Sequence, residues 1–385
     1  MTRPIGLHTH GVVCGVEDVQ ILKVLTAEEA ANGPFDLRDV LIWKDTVAGA
    51  AGSIGTTVAA GAGIGILGLK HPGVVKPGDV VRLREGGSIV SVLYRRGSKA
   101  NTLFATERCN SACLMCSQPP RDEDDSWRVD ELLRVIALCD RDEVQLGVSG
   151  GEPTLLGDRL AELIETAGEH LPETTLHILT NGRAFQERSV AERLAGSRRD
   201  RVVWAVPLYA DTGDVHDAVV DAPGAFAETL DGFYELGRLG ARTELRVVLH
   251  QMTVARLPQL ASFIYRRLPF VEHVALMGLE PMGFAKRNRE QLWIDPVDYV
   301  EALEAAVFHL TNRGITTSIY NLPLCVLPER LWPFAAQSIS DWKNLYPDEC
   351  TGCAVIDSCA GFFASAGPEW RSRAVHPIRY EEHVA

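Results

Sequence analysis

Between residues 101 and 311 the apolar positions switch repeatedly between two periods. Short alternating or continuous apolar runs predict strands over 102–105, 143–148, 175–179, 201–207, 243–249 and 273–277. Between them, apolar residues recur every three to four positions and predict helices over 129–139, 159–170, 185–194, 226–239 and 257–267, with a further one over 296–311. Six βα repeats imply an α/β fold with a parallel sheet and right-handed crossovers. Period alone leaves open whether that sheet closes, curves into a partial barrel or stays open. Residues 1–100 differ: short β-like runs such as 80–83 and 88–94, broken by Gly and Pro, predict a small β-rich domain ending at "YRRGSKAN".

Alternation also predicts where chemistry sits, because ligands of barrels and open α/β sheets gather at the carboxyl ends of strands. The unusual short motifs all fall there. "CNSAC" follows the first strand, "SGGEP" the second and "TNG" the third, while "MGLEPMG" spans the end of the sixth.

Length and charge narrow the class. A chain of 385 residues suits two or three units around one large core. Its net charge of −13, with no run of Lys or Arg longer than a pair, argues against a nucleic-acid partner. The start "MTRPIGLHTHG" lacks the basic and apolar segments of a signal peptide, so a cytoplasmic location is expected. Thiols stay reduced there, and clustered cysteines are then metal ligands rather than disulfides. Residues 47–69 carry no charge over about the length of a membrane span. Seven of them are Gly, which gives poor helix propensity, so no membrane helix is expected. Gly63-x-Gly65-x-x-Gly68 in the same stretch formally matches a dinucleotide fingerprint. Pro72 and Pro77 deny it the helix such a site needs, and the match is read as accidental.

Three of the nine cysteines, Cys109, Cys113 and Cys116, fall within eight positions. Three is the wrong number for a closed structural zinc site or an ordinary iron-sulfur cluster, each of which takes four ligands. On a four-iron cluster, three thiolates leave one iron open to an exogenous ligand such as the amino and carboxylate groups of an amino acid derivative. A zinc knuckle completed by a distant residue is the alternative.

"CNSACLMC" resembles the cluster motif of the radical S-adenosylmethionine (SAM) enzymes. The resemblance implies a partial (β/α)6 barrel over 101–311, with Cys109, Cys113 and Cys116 holding a [4Fe-4S] cluster whose fourth iron SAM chelates. One-electron reduction would then cleave SAM to a 5'-deoxyadenosyl radical that abstracts a substrate hydrogen; the cofactor carries this chemistry and the protein positions it. "SGGEP" resembles the family's second motif, in which Gly150, Gly151 and Glu152 would hold the SAM amine. Asn181 of "TNG" would contact SAM, although Asn-Gly is equally a turn signature. Arg246 has the chemistry for the SAM carboxylate, and "MGLEPMG" suits adenine. No residue is singled out for moving a hydrogen or proton at the substrate; Tyr209, Asp211, His250 and Cys325 are rim candidates.

Four more cysteines, Cys325, Cys350, Cys353 and Cys359, make a complete ligand set within 312–385. Their C-x2-C-x5-C core followed by "AGFF" resembles the C-terminal auxiliary-cluster domains called SPASM and twitch, with fewer cysteines than the full SPASM set. A single auxiliary [4Fe-4S] cluster is the expectation; structural zinc has the same ligand count. "TERCNSACLMCSQPP", "SGGEPTLL", "VALMGLEPMGFAKRN" and "SISDWKNLYPDECTGCAVIDSCAGFF" together are similar to the His-Xaa-Ser system radical SAM maturases of the HxsC type. That resemblance implies a precursor peptide as substrate, with the β-rich domain as its possible docking unit. A second radical SAM maturase and an electron donor such as flavodoxin or ferredoxin would be partners. A small metabolite as substrate, or a zinc-binding scaffold with no catalysis, are the alternatives.

Overall fold

A strand with one apolar and one polar face must cover the first and find a use for the second, and this fold solves the problem twice. In the computed structural model, residues 7–55, 63–337 and 345–379 are described. The middle of the glycine-rich stretch, 56–62, and the start of the last quoted motif, 338–344, lie outside them.

The first sheet comprises β1 (His8–His10), β2 (Val12–Cys14), β3 (Gln20–Leu25), β4 (Val40–Trp43), β5 (Gly52–Ile54), β6 (Ile64–Leu67), β7 (Val80–Leu83) and β8 (Ile89–Tyr94). Its order is β1-β8-β7-β3-β4-β5-β6-β2. The two ends of that order are consecutive in the chain, joined by Gly11 alone, so the sheet closes on itself. Gly11 permits the joint: a β-carbon there would come within 3.0 Å of both Leu67 O and a Leu69 methyl. The described part of the uncharged stretch thus forms β5 and β6, and Gly65 of the accidental fingerprint lies within β6. Among the described residues no helix is long and apolar enough to cross a membrane.

The second sheet is all parallel, in strict sequence order from β9 to β16. Its strands are β9 (Thr102–Phe104), β10 (Gln145–Ser149), β11 (Thr175–Leu179), β12 (Val202–Pro207), β13 (Arg242–Leu249), β14 (His273–Gly278), β15 (Thr316–Tyr320) and β16 (Ala335–Ala336). The six expected strands are therefore followed by two more, and the sheet runs past residue 311. β15 escaped notice because "TTSIY" buries only Thr317 and Ile319 on its apolar side. Helices cover one face, where Thr243, Leu245, Val247 and Leu249 of β13 are buried in turn. The opposite face is curved: Thr102, Gly147, His177, Val203, Glu244, Ala275 and Tyr320, from seven successive strands, line one hollow of about 510 Å³. The sheet is a partial barrel with a polar lumen.

The two sheets are locked together. Ile21, Val80 and Tyr94 of the first belong to the apolar cluster of the second. Lys23, wholly buried on β3, donates to Leu138 O at 2.8 Å and to Asp140 Oδ1 at 2.7 Å. Arg96 reaches the other oxygen of Asp140 at 2.7 Å. Burial pulls the Lys23 pKa down, while Asp140 holds the charge in place. Removing one member of a buried pair strands its partner. Lys23→Ala should therefore lower the unfolding free energy by about 3 kcal/mol, the low end of the usual range because Asp140 keeps Arg96. Urea unfolding measures this, and an unmoved midpoint would show that the junction contributes nothing.

Candidate active site

The segment after β9 is pinned as a loop by backbone bonds. Ala112 N and Leu114 N donate to Val220 O and Val219 O, at the end of the helix Gly213–Val220. Cys116 O accepts from Phe284 N at 2.8 Å. Gly283 makes that approach possible, with φ +53° and a would-be β-carbon 2.4 Å from Cys116 O. The end of β10 touches the same loop from below. Gly151 N and Glu152 N donate to Thr106 O and Arg108 O, both at 2.7 Å. A β-carbon on Gly151 would lie 2.2 Å from Arg108 O, and one on Gly150 2.5 Å from Thr106 O, so only glycine lets the two segments meet.

Glu152 is fully buried and serves as a latch. Its Oε1 accepts from Thr154 N at 3.0 Å, Thr154 Oγ1 at 2.6 Å and Thr180 Oγ1 at 2.6 Å, and its Oε2 accepts from Asn181 N at 2.5 Å. Burial raises its pKa and the four donors oppose that rise. The carboxylate thus ties the end of β10 to the end of β11, and Glu152 is not among the residues lining the adjacent hollow.

That hollow, about 340 Å³, is lined by Cys109, Cys113 and Cys116 together with Gly151, Asn181 and Arg246. Tyr209, Met277, Leu279 and Asn321 are also part of its lining. The four strand-end motifs, from far-apart positions, therefore meet at one place, joined there by Tyr209 and Arg246. Burial pushes the Cys109 thiol up to about 11 and the Cys113 thiol to about 12, and the neighbouring sulfurs add to both. Three thiolates will not coexist there without a cationic centre to offset them. Among the described residues no three His, Cys, Asp or Glu side chains form a group that could hold a single metal ion. An iron-sulfur cluster asks something else, one thiolate per iron, and a desolvated three-thiol loop facing a hollow fits that demand.

Arg246 stands between this hollow and the larger one, lining both, as do Leu179, Met277 and Asn321. Among the described residues its guanidinium has only weak partners, Met277 Sδ at 3.0 Å and Glu244 Oε1 at 3.8 Å. Beneath it lies a polar chain that sequence reading missed. Glu244 faces His177 Nε2 at 3.4 Å and His273 Nδ1 at 2.9 Å. His273 Nε2 lies 2.9 Å from Ser318 Oγ, and Nδ1, which faces a carboxylate that can only accept, is the nitrogen that donates. Burial alone would raise the Glu244 pKa; the two imidazoles and Arg246 hold it well below the carboxylate range. The signal was present in "RTELRVVL", where Arg242, Glu244 and Arg246 put three charges on one face of a strand.

The other rim candidates separate. Tyr209 lines the hollow, whereas Asp211 is paired with Arg256 at 2.7 and 2.8 Å. His250 is buried, lines neither hollow, and has no described partner on either ring nitrogen; burial pulls its pKa down to about 3 and keeps it neutral.

The second cysteine set comes together as well. The Cys350 thiol is raised to about 11 by burial and by the sulfurs of Cys325, Cys359 and Cys353. Backbone amides point at two of the sulfurs: Leu324 N and Gly361 N at Cys359 Sγ, 3.3 and 3.4 Å, and Ile378 N at Cys353 Sγ, 3.4 Å.

Residues 103–264 match the family model described as the radical SAM superfamily. That stretch is a radical SAM domain, and such a domain implies an enzyme with a [4Fe-4S] cluster and SAM. No curated protein matches the sequence. Among solved structures it is similar to SuiB of Streptococcus suis bound to S-adenosylmethionine, with 14% identity, a TM-score of 0.43, and coverage of 57% of this chain and 46% of SuiB. It is also similar to anSMEcpe with bound AdoMet and Cp18Cys peptide, with 14% identity, a TM-score of 0.49, and coverage of 72% and 91%. A radical SAM methyltransferase from Sphaerobacter thermophilus gives 17%, 0.42, and coverage of 63% and 72%. The chain spans about half the length of SuiB.

The latch yields a prediction. An amide in place of the Glu152 carboxylate cannot accept from all four donors, so Glu152→Gln should cost about 1–3 kcal/mol of stability. Thermal unfolding checks it; an unchanged transition would mean that these bonds do not hold the strand ends.

Proposed function

We propose that this protein is a radical SAM maturase that modifies a ribosomally made precursor peptide of the His-Xaa-Ser type by hydrogen abstraction. The observation that carries the reading is the meeting of Cys109, Cys113 and Cys116 with the carboxyl ends of β10 to β15 around one hollow. Those thiolates would hold a [4Fe-4S] cluster with one iron left for SAM, and such a cluster supplies the electron that breaks the sulfonium bond.

The chain's own residues bind and orient. Gly151 brings its backbone to the hollow with no β-carbon in the way, which suits the SAM amine, and Gly150 secures it against Thr106. Arg246, short of partners, offers its fork of donors to the SAM carboxylate. Asn181 borders the same space, and Glu152 acts through it by fixing its backbone. Met277 and Leu279 give adenine an apolar edge. The polar lumen beneath Arg246 gives room for a residue of the peptide, and the His-Xaa-Ser assignment rests on the sequence resemblance. Cys325, Cys350, Cys353 and Cys359 would fully ligate an auxiliary [4Fe-4S] cluster, which makes it an electron conduit or a scaffold. A flavodoxin or ferredoxin donor and a second radical SAM maturase are the partners this reading calls for.

Anaerobic reconstitution should give a brown protein with about eight irons, four for each cluster. Dithionite and SAM should then yield 5'-deoxyadenosine. Replacing Cys109, Cys113 and Cys116 together by Ala should abolish that product and leave about four irons; continued SAM cleavage would sink the proposal. A colourless protein carrying zinc would identify a scaffold instead. For the substrate, a short His-Xaa-Ser peptide encoded beside the gene should stimulate 5'-deoxyadenosine formation and gain a new mass; stimulation by a small metabolite alone would refute the peptide.

A further inference from the structure

We infer that Arg183 is a positioning residue for the cysteine loop, and that the Arg183–Glu228 pair sets the charge under which a cluster on that loop accepts an electron. The inference rests on the cluster reading of Cys109, Cys113 and Cys116.

Arg183 opens the short turn that follows β11. Gly182 precedes it with φ +77°, and a β-carbon there would strike a Val206 methyl at 2.6 Å. The turn sends the Arg183 side chain back toward the cysteine loop, where it is largely buried, 13% exposed. Nη1 donates to Asn110 O at 2.5 Å and to Ser111 Oγ at 3.0 Å, while Nε donates to Glu228 Oε2 at 2.6 Å. Asn181 adds a bond from Nδ2 to Asn110 Oδ1 at 2.6 Å, and its own Oδ1 accepts from Arg183 N at 3.1 Å.

The later part of the loop is held chiefly by backbone bonds at Ala112, Leu114 and Cys116, with Asn288 Nδ2 donating to Leu114 O at 2.8 Å. Asn110 and Ser111, between the first two cysteines, are held by Arg183 and Asn181. A planar guanidinium in this place does two things at once. Its fork fixes two atoms of the loop, and its charge is held against Asn110, the residue next to Cys109. Cluster potentials respond to net charge and nearby hydrogen bonds. A cation beside the cluster favours the reduced, more negative form. Glu228, in the first turn of the helix Ala225–Leu239 and 30% exposed, offsets part of that charge. The pair therefore works as a bias that can be moved in either direction.

The test uses the full-length chain, anaerobically reconstituted and titrated potentiometrically, with the EPR signal that changes on SAM addition as the readout. Arg183→Gln should shift the midpoint to lower potential; a tenfold fall in the reduced-to-oxidised ratio corresponds to about 59 mV for one electron. Arg183→Lys, which keeps the charge, should recover most of the shift. Glu228→Gln can still accept from Nε and should move the midpoint the opposite way, a response that a purely structural contact would not produce. Equal midpoints in Arg183→Gln and the unaltered chain, or shifts of the same sign in Arg183→Gln and Glu228→Gln, overturn the inference and leave the cluster reading standing. Absence of any SAM-sensitive signal in the unaltered chain overturns both.

Discussion

A carboxylate shut away from water must find donors within the protein, and Glu152 finds four. Two belong to Thr154 just after it, and two to Thr180 and Asn181 at the end of the next strand. The chamber's geometry depends on that convergence. It fixes the separation of two strand ends, and the glycines beside it let the backbone of one rest on the loop that bears the thiols. Shift the latch and Asn181 moves with it, along with the hold on Asn110. The buried charge costs desolvation, and the return is a rim whose parts keep their places before any ligand arrives.

Much of this was legible in the chain because it is local. The βα alternation placed six strands of the core to within about two residues, since each strand and helix is a contiguous pattern with its own period. The count of three cysteines against four needed no coordinates. What escaped was what distant segments decide together. Closure of the first sheet depends on β1 meeting β8 and β2 meeting β6, pairings between segments more than fifty residues apart. The bond from Glu152 to the next strand was not legible either, because two of its four donors, Thr180 and Asn181, lie almost thirty residues on. The chain from His177 through Glu244 and His273 to Ser318 is likewise assembled from four strands. Each of those residues alone would pass for an ordinary polar position.

The lumen also departs from the packed interior of a fully closed (β/α)8 barrel. There, inward side chains are large and branched and fill the space. Here Gly147 and Ala275 leave it hollow, while His177, Glu244 and His273 line it with groups that satisfy one another. A hollow of that kind can admit polar matter without stranding a charge, since Glu244 already has its partners. Arg246 is the exception, and its place between the two hollows puts an under-used cation where they meet.

The closed first sheet bears on recruitment. Many peptide-handling domains capture an extended chain by letting it join an open sheet as one more strand. Here the bend at Gly11 joins the two ends of the strand order, so that among the described residues β1 and β2, three residues each, are the strands with a partner on one side only. A partner arriving at this domain would have to grip loops and side chains, and its sequence rather than its extended backbone would decide whether it is held.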